Sequence, residues 1–486
     1  MTGEERSNPE LDGRPDIYSD DTVECSFQRD PRETIKEKSS PAQVPGTTPA
    51  AAPTPQAPAS GDKPETIDLH ASRSSGPSGF EITVSEPIGA GGMAEVDAAT
   101  QESLDREIAL KRPRSDRNTD EIAASLIGEA RMLASLDHPN IPPVHQLGFT
   151  EDGQPVIVMK RVRGNSWRTL LQDPAHSFWD EEPRFQLKVH LGILQQVCNA
   201  VEYAHEKKII HRDLKTDNVM VGDFGEVYLL DWGVAISLDE NGERAADQFC
   251  GTLCFAAPEM LSSKAPLTRR TDVYLLGCIL HEILTLEIRH QGGKIREVID
   301  KALASEPYSY SKDVHPALAL IANKATHRDP DQRYRSASEF RKAIEEHLAH
   351  YQALDLLNST REKMAVLEKL YADKESDRDG FKFHETAYLC RFGFQRVAKI
   401  APDLEGIEAG LLRVLELQTR FELDMGRIET AGKIILLIRK MQPEWENLAL
   451  LEAHLLEVET KLHESNELST QIQYKLMEEL QKGKEE

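Results

Sequence analysis

"IIHRDLKTDNVMVGDFGEVYLLDWG", Ile209 to Gly233, carries one signal twice: Asp223-Phe224-Gly225 and, eight residues on, Asp231-Trp232-Gly233. Val219-Met220-Val221 reads as a short strand, Gly222 to Gly225 supplies turn residues, and Glu226 to Leu230 reads as the returning strand. A hairpin sends its tip and its return end to different places. At about 3.3 Å per residue, Asp223 at the tip lies roughly 16 Å from Asn218. Asp231 returns to the base, beside Asn218 and Asp213. If one of the two aspartates holds a metal ion such as Mg²⁺ at the base of the hairpin, its oxygen ligands must lie within about 2.0–2.1 Å, and the tip is too far away. Asp223 is read as a turn residue.

Upstream, Gly89-Ala90-Gly91-Gly92-Met93-Ala94-Glu95-Val96 follows the apolar stretch "FEITVSEPI", which ends in Ile88. Glycines allow a sharp turn and close approach of the backbone to phosphates. Fifteen residues after Val96, "EIALK" places Lys111 on an alternating strand. "ASLIGEARMLASLDHPNI" then reads as a helix, with Glu129 on the face of Met132 and Leu133. A strand lysine paired with a helix glutamate can fix a cation against nucleotide phosphates. Either residue alone is most simply a surface charge.

The ordered set decides. Glycine loop, Lys111, Glu129, His211-Arg212-Asp213, Asn218, Ala257-Pro258-Glu259, "TDVYLLGCILHEI" (271–283) and "DPDQRY" (329–334) follow one another along about 270 residues. This set resembles the eukaryotic-type (Hanks-type) Ser/Thr protein kinases, in the form common among bacteria. The resemblance implies an α+β, bilobal kinase fold over residues 78–350, with a β-rich N-lobe to about 162 and a helical C-lobe from 163. It also implies ATP and Mg²⁺ as cofactors, with Mn²⁺ as an alternative metal.

Within that resemblance, Asp213 would accept the proton of the substrate hydroxyl, and Lys215 would offset charge on the transferred phosphoryl group. Asn218 and Asp231 would hold the metal; the family's metal aspartate follows the catalytic one by eighteen residues, which again gives Asp231, with Trp232 at the usual Phe position. Ile88, Gly89, Ala90, Gly91 and Gly92 would form the phosphate loop. Lys111, held by Glu129, would reach the α and β phosphates. Val96, Ala109 and Met220 would enclose the adenine, Met159 would be the gatekeeper, and Val162 the hinge backbone contact. Lys160 and Arg161 replace the more usual acidic-aromatic hinge pair, which puts the affinity for ATP in question.

The activation segment runs from Asp231 to Glu259 and offers Ser237 and Thr252 as hydroxyls. Thr252 falls where the family has a threonine supporting Asp213 and Lys215. Asp247 is hypothesised to give Arg212 a fixed anion, so that loop phosphorylation is not needed; a solvated Asp247 is the simpler alternative. Glu259 with Arg333 is expected as a buried ion pair, and Asp272 as the carboxylate holding the catalytic-loop backbone. Two other functions compete. A pseudokinase scaffold is favoured by Ala94 at the third glycine position, by Asp97 and by the basic hinge, but every catalytic residue is in place. A small-molecule phosphotransferase would lack the Ala257-Pro258-Glu259 segment and the Thr252 platform. A protein Ser/Thr kinase that also phosphorylates itself, in bacterial signalling, is the reading.

The rest of the chain bounds the setting. A formal charge of -24 over 486 residues argues against general nucleic-acid binding. Six cysteines without framework spacing suit a reducing compartment, and Cys250 and Cys254 read as ordinary thiols rather than zinc ligands. The N-terminus shows no signal-peptide core and no run spans a membrane, so a cytoplasmic location is expected. Residues 1–77, rich in Pro, Ser and Ala, read as a disordered tail, where Thr22, Thr34 and Thr66 beside acids are candidate autophosphorylation sites. Residues 351–486 read as all-α. Pro402 and Pro443 end helices there, and Ala398, Gly426 and Ala431 are read as small packing residues of degenerate tetratricopeptide-like repeats. An irregular bundle or terminal coiled coil is the alternative. These helices are expected to bind protein partners, and a homodimer of kinase domains is left open.

Overall fold

The structure, a computed structural model, describes residues 66–69, 80–90, 94–114, 119–179, 183–246, 248–262, 265–373 and 380–485. Thr22, Thr34, Gly91, Gly92 and Asp247 lie outside the described residues. The chain divides into two units, 1–344 and 345–486.

The first unit opens with strands β1 (Thr66–Leu69), β2 (Phe80–Ala90), β3 (Ala94–Gln101) and β4 (Arg106–Pro113), then helix α1 (Asp120–Ala134), β5 (Val144–Phe149) and β6 (Pro155–Lys160). The six strands form one sheet in the order β1-β2-β3-β4-β6-β5, with every neighbouring pair antiparallel. The tail expected through residue 77 is corrected here: Thr66–Leu69 pairs with β2, Thr66 opposite Thr83 and Leu69 opposite Phe80. Side chains alternate across the sheet. Ile108 and Leu110 enter a core with Ile82, Ala99, Val156 and Val158, which leaves Ala109 and Lys111 on the opposite face. On that face Leu126 and Ala130 of α1 pack on Ala94 and Ile157. The Thr119 hydroxyl caps α1 by accepting from Ile122 N, and Asp120 and Glu121 suit its positive end.

Next come β7 (Asn165–Ser166), α2 (Trp167–Gln172), α3 (Pro183–Glu206), β8 (Ile209–Ile210), β9 (Val219–Val221), β10 (Val227–Leu229) and β11 (Ile236–Ser237). They are followed by α4 (Arg269–Thr285), α5 (Ile295–Ala304), α6 (Pro316–Ala325) and α7 (Ala337–Ala372), the last running through the division between the units. Every residue of α4 from Thr271 to Ile283 is buried. A helix apolar all round belongs inside a core, and two carboxyls travel in with it. Asp272 is fully used: it accepts from His211 N (2.8 Å), Arg212 N (2.9 Å) and the His205 ring (2.8 Å). Glu282 has one hydroxyl donor, Thr216 at 3.0 Å, and burial pushes its carboxyl up to about 7.

Glu259 and Arg333 form the expected buried pair, at 2.7 and 2.8 Å, with side chains 2% and 0% exposed. Arg333 also donates to the carbonyls of His327, Arg270 and Arg328, so its guanidinium is satisfied all round.

The second unit is helical: the later turns of α7, then α8 (Phe381–Ile400), α9 (Ile407–Asp424), α10 (Ile428–Met441) and α11 (Leu448–Glu485). Pro402 and Pro443 lie just past the ends of α8 and α10. The small-residue reading is corrected in part. Ala431 is buried, but Ala398 is exposed, and Gly426 takes a φ of 71° in the turn between α9 and α10. Close approach occurs instead at Gly393, where a Cβ would meet Thr360 Oγ1 at 2.2 Å, and at Gly410, where it would meet Phe394 at 2.3 Å. Among the described residues no helix is long and apolar enough to cross a membrane.

Two stability outcomes follow from the buried charges. Arg333→Met strands Glu259 and should lower the unfolding free energy by about 3–5 kcal/mol in a denaturant titration; Arg333→Lys, lacking the fork, should recover only a minor part. For Glu282 the folded carboxyl near 7 lies above the ordinary 4.5. The folded state therefore holds the extra proton, and stability from this group falls as pH rises across that window. Glu282→Gln should flatten that segment of the Tm-against-pH curve.

Candidate active site

The hairpin is built as its sequence suggests. β9 and β10 pair antiparallel with Val221 opposite Val227 and Val219 opposite Leu229. The turn closes through Gly222 N donating to Glu226 O (2.8 Å) and Gly225 N to Gly222 O (3.0 Å), with Gly225 at a φ of 83°. Phe224 at the tip is 94% exposed. At the other end Leu230 N donates to Asn218 O at 2.7 Å, which sets Asp231 at the base.

Asp231 is met by Lys111, whose Nζ lies 3.1 Å from Oδ1 and 2.7 Å from Glu129 Oε1. Burial opposes the lysine's charge, but Asp231 and Glu129 outweigh it and hold its pKa above the ordinary value. Burial also works against the Asp231 carboxylate, and Lys111 more than reverses this, so its pKa lies below the ordinary value. The Glu129 carboxyl is pushed up by burial in spite of Lys111. A strand, a helix and the hairpin base thus share one cation. Asp231 has a left-handed φ of 54°, unusual for a residue with a Cβ, and Arg212 has 68°. Backbone strain of this kind persists only where neighbours enforce it. Around Asp231 the enforcement is packing: Trp232 is buried, lies 4.6 Å from the His211 ring, and donates through Nε1 to Leu229 O.

Asp213 sits in a second cluster. Its Oδ1 accepts from the Thr252 hydroxyl at 2.7 Å, and its Oδ2 meets Lys215 Nζ at 3.0 Å and Asn218 Nδ2 at 3.0 Å. Lys215 also donates to Thr252 Oγ1 at 2.6 Å. Asn218 Nδ2 donates as well to Asp213 O at 2.8 Å. Both amide hydrogens are thereby committed to Asp213, leaving the Asn218 carbonyl oxygen, with the half-exposed Asp231 carboxylate, as hard oxygen donors. That donor set fits Mg²⁺. Gly251, before Thr252, has a φ of 119°, and a Cβ there would come 2.6 Å from Arg212 O. Only glycine brings the Thr252 hydroxyl this close.

The remaining expected residues lie along the strands that face Lys111. Register sets Gly89 opposite Val96, Val96 opposite Lys111, and Ala109 opposite Met159. Ile88, Gly89 and Ala90 are exposed on β2, Ala109 is buried, and Val96, Met159, Val162 and Met220 are half-buried. Asp97, which favoured the scaffold reading, points to the other side and pairs with Arg112 at 3.0 Å.

The hinge cations have partners that sequence reasoning missed. Lys160 donates to the Tyr228 hydroxyl and sits over its ring. Arg161 reaches Glu86 at 3.1 Å and Glu107 at 3.5 Å, and Arg163 Nε donates to Glu107 at 2.9 Å. Nothing local could have announced these pairs, which span 50 residues or more. Arg212 donates to Val234 O at 2.6 Å, and the Cys250 thiol lies against its guanidinium.

Comparison with known proteins gives the family. The family described as "Protein kinase domain" matches residues 82–350. The serine/threonine-protein kinase PknD of Chlamydia muridarum is 32% identical over 341 residues, covering 63% of this chain and 34% of that protein. Its namesake from Chlamydia trachomatis is 34% identical over 297 residues, 54% of this chain and 31% of that protein. The chain spans about a third of the length of these curated relatives. A lysine shared by Glu129 and Asp231, a threonine-braced Asp213 and a match over more than half its length make this chain a member of the protein kinase family.

Proposed function

We propose that the chain is a protein Ser/Thr kinase that transfers the γ-phosphoryl group of ATP to serine and threonine hydroxyls, its own among them, in bacterial signalling. The observation that carries this is the Thr252 hydroxyl linking Asp213 to Lys215. It belongs to the segment between Asp231 and Glu259 and sets the proton acceptor and the phosphate-facing cation at one place.

In this reading the incoming hydroxyl lies against Asp213. Its oxygen forms a bond to the γ-phosphorus while the bond from that phosphorus to the bridging oxygen of ATP breaks. The electron pair leaves with ADP, and the hydroxyl proton passes to Asp213. Lys215 faces the negative charge of the moving group, and Lys111, oriented by Glu129, holds the α and β phosphates. Asn218 and Asp231 supply the oxygens for Mg²⁺, which neutralises phosphate charge when bound. Val96, Ala109 and Met220 enclose the adenine beside Met159 and Val162. The helical second unit binds protein partners, and the PknD relatives, named as serine/threonine-protein kinases, support the choice of acceptor.

Phosphate transfer from radiolabelled Mg-ATP to a generic Ser/Thr peptide tests the reading. Asp231→Ala should lose at least about a hundredfold in kcat, while Asp223→Ala should stay within about twofold of wild type, as expected for an exposed turn. The reverse order would assign the metal to the wrong end of the hairpin. Gly251→Ala should also lose about a hundredfold, because it displaces Thr252. The hinge ion pairs are solvent-exposed, so Arg161→Ala should raise the KM for ATP by no more than about fivefold, an effect that fades in high salt.

A further inference from the structure

The outward face of α8 carries a feature that catalysis does not use. Its inward residues Phe383, Ala387, Cys390, Phe394 and Val397 are in the core of the helical unit. Its outward face keeps Phe381, Tyr388 and Phe392 at 71%, 66% and 53% exposure, and Tyr388 stacks on Phe392 with the planes 19° apart. Separations of seven and four residues put these three rings, and then Lys399 seven further on, in one stripe. Lys382 and Arg396 flank it. Among the described residues none of these three cations has an ion-pair partner, and the stripe includes one acid, Glu385. Single exposed leucines elsewhere on the unit are ordinary surface. A stacked ring pair with a third ring in line, rimmed by cations that have no ion-pair partner among the described residues, on a chain of net charge -24, is not.

The geometry points to α8 as a docking face for an acidic protein segment carrying aromatic or branched aliphatic side chains. The inference deepens the proposed partner binding of the helical unit and rests on that reading. The rings supply rigid anchors at small entropic cost, and Lys382, Arg396 and Lys399 meet carboxylates at the rim. A second copy joined through the same face would set its cations against these and is disfavoured. A nucleic acid could also stack on the rings, but three cations are few for a polyanion approaching an acidic chain.

Fluorescence anisotropy on the full chain, without ATP, tests this. The probe is a short fluorescein-labelled peptide of Glu and Asp interspersed with Phe, Tyr and Leu. Its controls are a peptide with Lys and Arg replacing the acids, and oligo-dT. Wild type should bind the acidic peptide alone. Tyr388→Ser with Phe392→Ser should weaken binding about tenfold or more. Lys399→Glu should weaken it severalfold, most at low salt. Phosphorylation of the generic Ser/Thr peptide, measured in parallel, should be unchanged in these variants; its loss in wild type would strike at the catalytic reading and not at this one. Equal binding by wild type and both variants would move the contact to another part of the helical unit and overturn the α8 face. Failure of wild type to bind the acidic peptide, or equal binding of either control, would overturn the chemistry assigned to the partner.

Discussion

The site depends on one buried carboxylate, Asp272. It sits in the buried stretch of helix α4, Thr271 to Ile283, and accepts from the backbone N–H groups of His211 and Arg212. Those two bonds hold Arg212 at a left-handed φ and so direct Asp213 toward Thr252, Lys215 and Asn218. A charged acceptor in a dry interior forms strong hydrogen bonds and leaves little freedom to its donors. The His205 ring, bonded to the same oxygen as His211 N, meets the remaining demand of the carboxylate.

From this anchor the cleft is assembled by elements far apart in sequence. Asp213 and its helpers come from the loop after β8, while Asp231 is delivered by the return of the β9–β10 hairpin. Lys111 and Glu129 come from the sheet and from α1. Each contributes a side chain that alone would be a surface charge. Together, Lys111 and its two carboxyl groups hold one another in place, and Lys111 and Asp231 stay charged in spite of burial, the kind of preorganisation that phosphoryl transfer draws on.

Sequence reading succeeds where the signal is local. The β9–β10 hairpin is legible because its turn residues and flanking strands lie within a dozen positions, and its alternation fixes which aspartate returns. The buried pair Glu259–Arg333 and the position of Thr252 come through family spacing. Long-range pairing is what sequence hides. Thr66–Leu69 looks like more of a polar tail because its strand character is supplied by β2. The partners of Arg161 and Arg163 lie on strands at distant positions. In the helical unit, Ala398 looks like a packing residue by composition, but close contact is decided by which face meets Thr360 and Phe394, and that selects Gly393 and Gly410.

The central claim is that the base of the hairpin, and not its tip, holds the metal-nucleotide. Calorimetric titration with a non-hydrolysable ATP analogue, with and without Mg²⁺, measures this without relying on turnover. The account predicts that Mg²⁺ strengthens binding in wild type and in Asp223→Asn, and that Asp231→Asn loses the Mg²⁺-dependent part. Retention of that part in Asp231→Asn, or its loss in Asp223→Asn, would contradict it.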